Sequence, residues 1–421
     1  MRRWQWWLVI VGLVVGWAPR SAHADEVEIL LNKLVARGVL TSADAGDIRE
    51  EIRHEQETTK KQVASDTLPE SSKNWKWSGD IRLRNESRNR TGSGQDVNRQ
   101  RIRFRYGFDA KVNDQLKVGA RLATGTTTDP VSTNQTFDTS FDHKTIVLDR
   151  AFAEYTPEVP GIDKLVLTGG IIENPFWNVG QLVWDDDLNF DGAAVKLEKH
   201  VGSAVTLFTN DGVFPLQSGI TETATLWSVQ GGTAIKPFSH ADDELSKNFK
   251  VTGALAYHDY MNVTKPLSES TAIATAGGAK GNTVGVADFN LLNPTIEVSS
   301  QYADIPFGVF GDFVHNTALA SSKTNGFQLG LKVGKARVPF DVRKGWEGGY
   351  YFERLEPDAT FGPFTDSDFG NGGTDHRGHV WWVKLATLKN SSLQLKYLNT
   401  QELKSAKNHA DTFQADWVSK F

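Results

Sequence analysis

The chain of 421 residues has no cysteine and only two methionines. Past its first two dozen residues it has no apolar run of the length a membrane helix needs. Without cysteine there is no disulfide stapling and no thiolate chemistry, and export to an oxidising compartment is allowed. A helical span takes about 20 consecutive apolar residues. A mean hydropathy of −0.39 with 39% hydrophobic residues is therefore not that of a helical membrane protein. A β-barrel escapes this exclusion, because only every second residue of each strand faces lipid. A basic excess is also missing: 46 Lys and Arg stand against 51 Asp and Glu, and a nucleic-acid partner asks for a basic patch. Catalytic signatures are absent too. There is no Gly-x-Ser-x-Gly elbow, no phosphate-binding loop and no His-Glu-x-x-His pair, so the chain is not read as an enzyme and no cofactor or metal is expected. His379, beside Trp381 and Trp382, reads as an interface residue rather than a base.

What is abundant points to a sheet. Thirty-eight Gly, 23 Phe and 13 Trp suit a glycine-tolerant, aromatic-rich β structure better than a helical bundle. Residues 1–24 read as a secretory signal peptide. Arg2 and Arg3 open it, Trp6 to Ala18 is apolar but short for a stable span, and Ala22-His23-Ala24 supplies small residues at both cleavage-determining positions. A retained membrane anchor is the alternative. Cleavage removes three Arg and no acid, taking the formal charge from −5 to −8.

The last residues, Phe413-Gln414-Ala415-Asp416-Trp417-Val418-Ser419-Lys420-Phe421, separate their aromatics from their most polar groups. Phe413, Trp417 and Phe421 share one parity; Gln414, Asp416 and Lys420 share the other. That is a strand with one lipid-type face and one wet face, running to the last residue. An ordinary amphipathic strand is the plainer reading, and a signal peptide at the opposite end weighs against it.

Residues 25–74 differ from the rest. Val27, Ile29, Leu30, Leu34 and Val35 recur at helical spacing with Gly38 as a stop, and Thr41-Ser42-Ala43-Asp44 resembles a capping box opening a second helix through Ile52. Arg53 to Lys61 is a charged continuation and Ser65 to Lys73 a polar linker. The expectation is a helical hairpin in the periplasm, either a self-association or cell-wall contact element or a solvated spacer.

From Trp75 onward the hydrophobic period is two. Ile102, Phe104, Tyr106 and Phe108 point one way, and Arg101, Arg103, Arg105 and Asp109 the other. Phe327-Leu329-Leu331-Val333 against Gln328-Lys332, Trp381-Val383-Leu385 against Trp382-Lys384, and Leu393-Leu395-Tyr397 against Gln394-Lys396 repeat the pattern. Strand-like segments fall near 75–86, 98–112, 115–125, 144–157, 164–172, 188–199, 203–210, 223–237, 248–260, 287–300, 307–316, 325–336, 343–355, 376–388, 391–401 and 411–421. About sixteen strands, an even number, predict an all-β transmembrane antiparallel barrel over 75–421. Tight turns at Val112 to Gln115, His200 to Gly202 and Lys389 to Ser391 alternate with long polar loops at Gly125 to His143, Met261 to Gly285 and Glu356 to Asp375, as expected for short periplasmic and long external connections.

Trp77-Ser78-Gly79-Asp80-Ile81-Arg82-Leu83-Arg84, Arg99-Gln100-Arg101-Ile102-Arg103-Phe104-Arg105, Ala123-Thr124-Gly125, Asp129-Pro130-Val131-Ser132-Thr133-Asn134-Gln135-Thr136 and Leu148-Asp149-Arg150-Ala151 follow one another in order. Together they resemble the bacterial "putative porin" family, similar in architecture to general and phosphate-type porins. The resemblance spans about Trp75 to Phe421, with motifs in the first third and composition in the rest, and the N-terminal hairpin also looks typical. It implies a sixteen-stranded diffusion pore in the outer membrane, facing outer-membrane lipid, forming a homotrimer, and closing with a terminal Phe that the barrel assembly machinery reads; Phe413, Trp417 and Phe421 would then be its assembly signal.

Parity puts Arg82 and Arg84 on the wet face with Arg101, Arg103 and Arg105, and Arg121 opposite Leu116, Val118, Ala120 and Leu122. This is a candidate basic wall. The connection after the fifth strand carries Glu173, Asp185, Asp186 and Asp187 among Phe176, Trp177 and Trp184. In the general porins that the chain resembles, the third external loop folds inward at this point. Opposed charge across a narrowed lumen sets ion preference; inter-strand salt bridges without a role in permeation are the alternative. Asp185 to Asp187 lack the spacing of an EF-hand Ca²⁺ loop. Three function classes follow: a passive porin for small hydrophilic solutes or ions, an outer-membrane structural or adhesive barrel anchoring the helical segment to the cell wall, and a soluble secreted sandwich or lectin.

Overall fold

Alternation of large apolar with polar side chains leaves a strand with two unlike faces, and a closed sheet can give each face its own medium. The computed structural model does this with β1 (Trp75–Thr91), β2 (Val97–Lys111), β3 (Leu116–Thr124), β4 (Gln135–Thr136), β5 (Ile146–Tyr155), β6 (Lys164–Glu173), β7 (Asn189–Val201), β8 (Val205–Gln217), β9 (Ala224–Ile235), β10 (Lys250–Met261), β11 (Phe289–Tyr302), β12 (Ile305–Asn316), β13 (Asn325–Gly334), β14 (Trp346–Leu355), β15 (His376–Leu388), β16 (Ser391–Glu402) and β17 (His409–Lys420). The structure describes residues 74–421 apart from positions 93, 139, 218–223, 262, 264–279, 284–287, 321–322 and 406. Ahead of them it describes only Lys33, Val35 and Ile48, all helical. Met1–Lys73 and Asn74–Phe421 are separate units. The signal peptide with Ala22 and Ala24, and the rest of the hairpin, lie outside the described residues.

Each long strand pairs antiparallel with its chain neighbours, and β1 pairs with both β2 and β17, which closes the barrel. Sixteen long strands form the wall. The two-residue β4 is an addition, a piece of the β3–β5 connection bonded to the end of β2 at Arg101 and Ile102. At the seam the Gly79 N–H donates to the Phe421 carbonyl at 2.9 Å and the Phe421 N–H returns to the Gly79 carbonyl at 3.0 Å. A Cβ on Gly79 would stand 2.6 Å from the Phe421 ring, so this position has no room for a side chain.

Burial is reversed relative to a soluble protein. On β13, Leu329 is 54% exposed on the outside while Gln328 is 1% exposed inside. On β17, Phe413, Trp417 and Phe421 are exposed, whereas Thr412, Gln414 and Asp416 are buried. In water the first arrangement would be unfavourable; against lipid tails it is the stable one.

β1 runs to Thr91, past the expected end at 86, and β8 runs to Gln217 rather than stopping near 210. Asn85, Ser87 and Asn89 are polar on the outward parity, so the apolar alternation fades while the ladder to β17 continues through Asn89↔Asp411 and Thr91↔His409. A larger correction concerns Glu356 to Asp375, expected as an external polar loop. Leu355, Ala359, Phe361 and Phe364 are buried in one cluster with Phe176, Leu182, Val183, Trp184 and Leu188 of the 174–188 connection, and with Phe190, Phe214, Tyr260, Phe289 and Leu291 from the inner wall. Both connections fold into the barrel and share an apolar core there.

Candidate functional site

Two inward connections and the charged strip facing them define the site. The 174–188 connection is held by backbone capture. The Trp177 N–H donates to Gln230 Oε1 at 2.8 Å, and Gln230 Nε2 donates back to the Trp177 carbonyl at 2.9 Å. One buried amide thus satisfies both backbone groups of a residue that has no strand partner. Asn210 Nδ2 donates to the same Gln230 oxygen at 2.8 Å. A Cβ on Gly180 would lie 1.7 Å from Gln328 Oε1, so a larger residue here would have to displace the end of the Gln328 side chain. Trp184 packs edge-on against His258, centroids 5.1 Å apart, and Phe176 makes a second edge contact with His258 at the same distance.

The 356–375 connection is secured in the same manner. Asn282 Nδ2 donates to the carbonyls of Pro357 and Thr360 at 2.7 and 2.8 Å, and its oxygen accepts the Gly362 N–H at 2.9 Å. The two connections also bind one another. The Asp185 N–H donates to the Phe364 carbonyl at 2.8 Å, and Asp185 Oδ2 accepts the Ser367 N–H at 2.8 Å.

The arginines expected on one wall share a face but not a ladder of free charge. Arg84 is buried between Asp416, at 2.7 Å, and Asp368, at 3.0 Å. Arg103 and Arg105 each reach Asp80 at 2.7 Å and then Asp187 at 3.5 and 3.3 Å. Arg82 donates to Asn134 Oδ1 at 2.6 Å, and Arg101 to Ser132 Oγ at 3.4 Å, both on the β3–β5 connection. Arg121 pairs with Asp149 on β5. Carboxylates overlooked in the sequence (Asp80, Glu86, Asp149, Asp368 and Asp416) therefore neutralise much of the strip. Lys396 on β16 joins it, 3.9 Å from Asp366 and 3.8 Å from Asp368.

The four expected acidic groups do not act as one set. Asp187 faces the arginines and also accepts from Thr133 Oγ1 at 3.0 Å; burial alone would push its carboxyl up, but Arg103, Arg82 and Arg105 together hold it below the usual range. Asp186 is open to the lumen. Desolvation by the protein packed around its base, then Asp366 and Asp187, push its carboxyl up to about 6. Asp185 turns away to the Ser367 and Asp187 N–H groups; burial, then Asp366 and Asp187, push it well up. Glu173 is not in the connection at all. It ends β6, its side chain is 73% exposed, and it pairs with Arg150 at 3.0 Å. The three aspartates diverge because successive residues of an irregular segment point to different sides, so they do not converge on one cation. On the terminal side of the 174–188 connection the lumen widens into a chamber of about 770 Å³ lined by Lys164, Lys196, Lys236 and Lys250 with Trp177 and Phe208.

His379 points outward and shares a hydrogen bond with Tyr350 Oη at 2.8 Å. Among the described residues no helix is long and apolar enough to cross a membrane; the strands do so.

The sequence profile described as "Putative porin" matches residues 90–292 and 297–421. This chain belongs to that family. The porin is thus an outer-membrane channel with a barrel fold. In fold it is similar to Pseudomonas putida OprB in a high-pH structure, with 10% identity, a TM-score of 0.55, and coverage of 83% of this chain and 95% of that one. Salmonella typhi OmpF, in a complex with daunomycin, aligns at 10% identity and a TM-score of 0.48 over 82% of this porin and 97% of its own chain. No curated protein matches the sequence.

Proposed function

We propose that this porin passes small hydrophilic solutes or ions by passive diffusion, and that the 174–188 and 356–375 connections together form its constriction. The carrying observation is that both connections are fastened inside the barrel with their acidic edge, Asp186, Asp187, Asp366 and Asp368, turned toward Arg82, Arg84, Arg103, Arg105 and Lys396. Opposed charge across a narrow polar lumen orients dipolar solutes and excludes apolar ones. Coulomb interactions there act at an effective dielectric well below that of bulk water. The apolar core fills much of that level, and the solute path passes beside these paired charges toward the lysine-lined chamber.

The same reading takes residues 1–24 as a cleaved signal, the helical segment as periplasmic, the terminal Phe as the mark read by the assembly machinery, and the working form as a homotrimer. Purified protein in a planar bilayer tests the central claim. Discrete conductance steps are expected, with a reversal potential that moves when Asp186 and Asp187 are neutralised together. Steps that are absent, or unaltered in conductance and reversal potential by that change, would remove the constriction from these two connections.

A further inference from the structure

The outside of the wall carries a second charged feature. In the β14–β15 register Arg354 stands directly opposite Arg377. Both point outward, since Glu353, Leu355, Gly378 and Val380, which alternate with them, are buried on the inner side. Like charges directly opposite on one sheet face repel. Arg354 has Glu356 at 3.2 Å. Arg377 has no carboxylate within ion-pair distance among the described residues; its Nε and Nη2 both rest on Gln401 Oε1, at 3.0 and 2.7 Å. His409 follows opposite Gln401. The nearest outward acid below, Asp411, is engaged by Tyr397 Oη at 2.6 Å, Asn399 at 2.8 Å and His409 at 3.5 Å.

Two ladder steps nearer the middle of the wall, Tyr350, Trp381 and Tyr397 form one outward row, rings 5.4 and 5.6 Å apart. Such rows mark the edge of the hydrocarbon. Arg377 lies eight residues up β15 from the lipid-facing Leu385, about 27 Å along a strand and roughly 20 Å across the bilayer at the usual tilt. The pair is therefore at headgroup depth, above a row that seats acyl chains.

We propose that Arg354 and Arg377 bind the phosphorylated headgroup of a membrane lipid in the leaflet at the loop end of the barrel. A phosphate between two guanidiniums accepts planar, charge-assisted hydrogen bonds from both and turns their repulsion into a shared attraction. The test is native mass spectrometry of the porin in a neutral detergent, with added bis-phosphorylated lipid A, with phosphatidylcholine, and with inorganic phosphate as competitor. Wild-type protein should retain lipid A in preference to phosphatidylcholine and keep it against millimolar inorganic phosphate. R354Q/R377Q should need about tenfold more lipid for equal retention, as expected for a lost charge-assisted pair. Glu356→Gln keeps both arginines, removes their one carboxylate partner and should tighten retention, which keeps the proposal testable if the double variant fails to assemble. Equal retention by wild type and both variants would overturn it, as would displacement by inorganic phosphate. A changed subunit stoichiometry in R354Q/R377Q with lipid A retention unaltered would assign the pair to contact with a second copy and overturn it equally.

Discussion

Replacing Gln230 with Leu should loosen the 174–188 connection without touching the charged strip. Gln230 is 2% exposed and accepts from the Trp177 N–H and Asn210 while donating to the Trp177 carbonyl. Leucine fills similar space and leaves those three polar groups facing an apolar side chain. Each buried group so orphaned costs about 1–3 kcal/mol. Swinging the segment out lets water satisfy the Trp177 backbone, so a net bias of about 2–4 kcal/mol against the inward state is expected. At about 1.4 kcal/mol per factor of ten, opening events should become roughly thirtyfold to several hundredfold more populated. The aromatic core, the Gly180 fit and the Asp185–Ser367 bond still hold the segment, so the inward state should stay dominant. Single-channel records should show new brief excursions to higher conductance, and amide exchange over 174–188 should accelerate while β6 and β7 stay protected. Gln230→Glu keeps the two accepted bonds and should fall between. If exchange over 174–188 and current noise both match wild type in Gln230→Leu, the clamp does not hold the constriction.

Acidification should remove lumen charge at Asp186: with its carboxyl at about 6 it is mostly ionised at pH 7.5 and mostly neutral at pH 5, so the reversal potential should move toward anions as pH falls, and Asp186→Asn should flatten that response. Asp185→Asn should leave ion preference nearly unchanged but raise current noise, since its carboxylate binds Ser367 rather than facing the pore. Phe421→Ser should lower the amount of folded barrel in outer membranes while leaving the conductance of assembled molecules near wild type; normal membrane levels would refute this. Mass spectrometry of the outer-membrane form should give an N-terminus at Asp25, and an intact Met1 would refute cleavage after Ala24.

The wall was legible in the sequence because lipid on one side and water on the other impose period two on every spanning strand. Its limits were less so. Where Asn85, Ser87 and Asn89 make the outer face of β1 polar, only the ladder to β17 shows that the strand continues. The second inward connection carries a comparable signal: Phe361, Phe364 and Phe369 are as aromatic a set as Phe176, Trp177 and Trp184 of the first. The partners of the arginines divide in two. Asp80 and Glu86 share the parity of Arg82 and Arg84 and could have been paired by counting along β1. Asp416 lies at the far end of the chain, 332 residues from Arg84, and meets it only because the barrel closes there. Asp368 depends on a loop whose path no periodicity encodes.

Filling part of a wide barrel with a dry core separates two properties that are tied together in a hollow one. Circumference belongs to the ladder, where adding or removing a hairpin changes every register around the ring. On the reading proposed above, the aperture belongs to two loops fastened by Gln230, Asn282 and the phenylalanines around Tyr260. Loop residues can therefore change, and with them the size and charge of what passes, while the part that must be inserted into the membrane stays the same. The reshapeable element is also the one with the fewest ladder bonds. Variants that retune permeation should consequently be lost to noise and leak well before they are lost to misfolding.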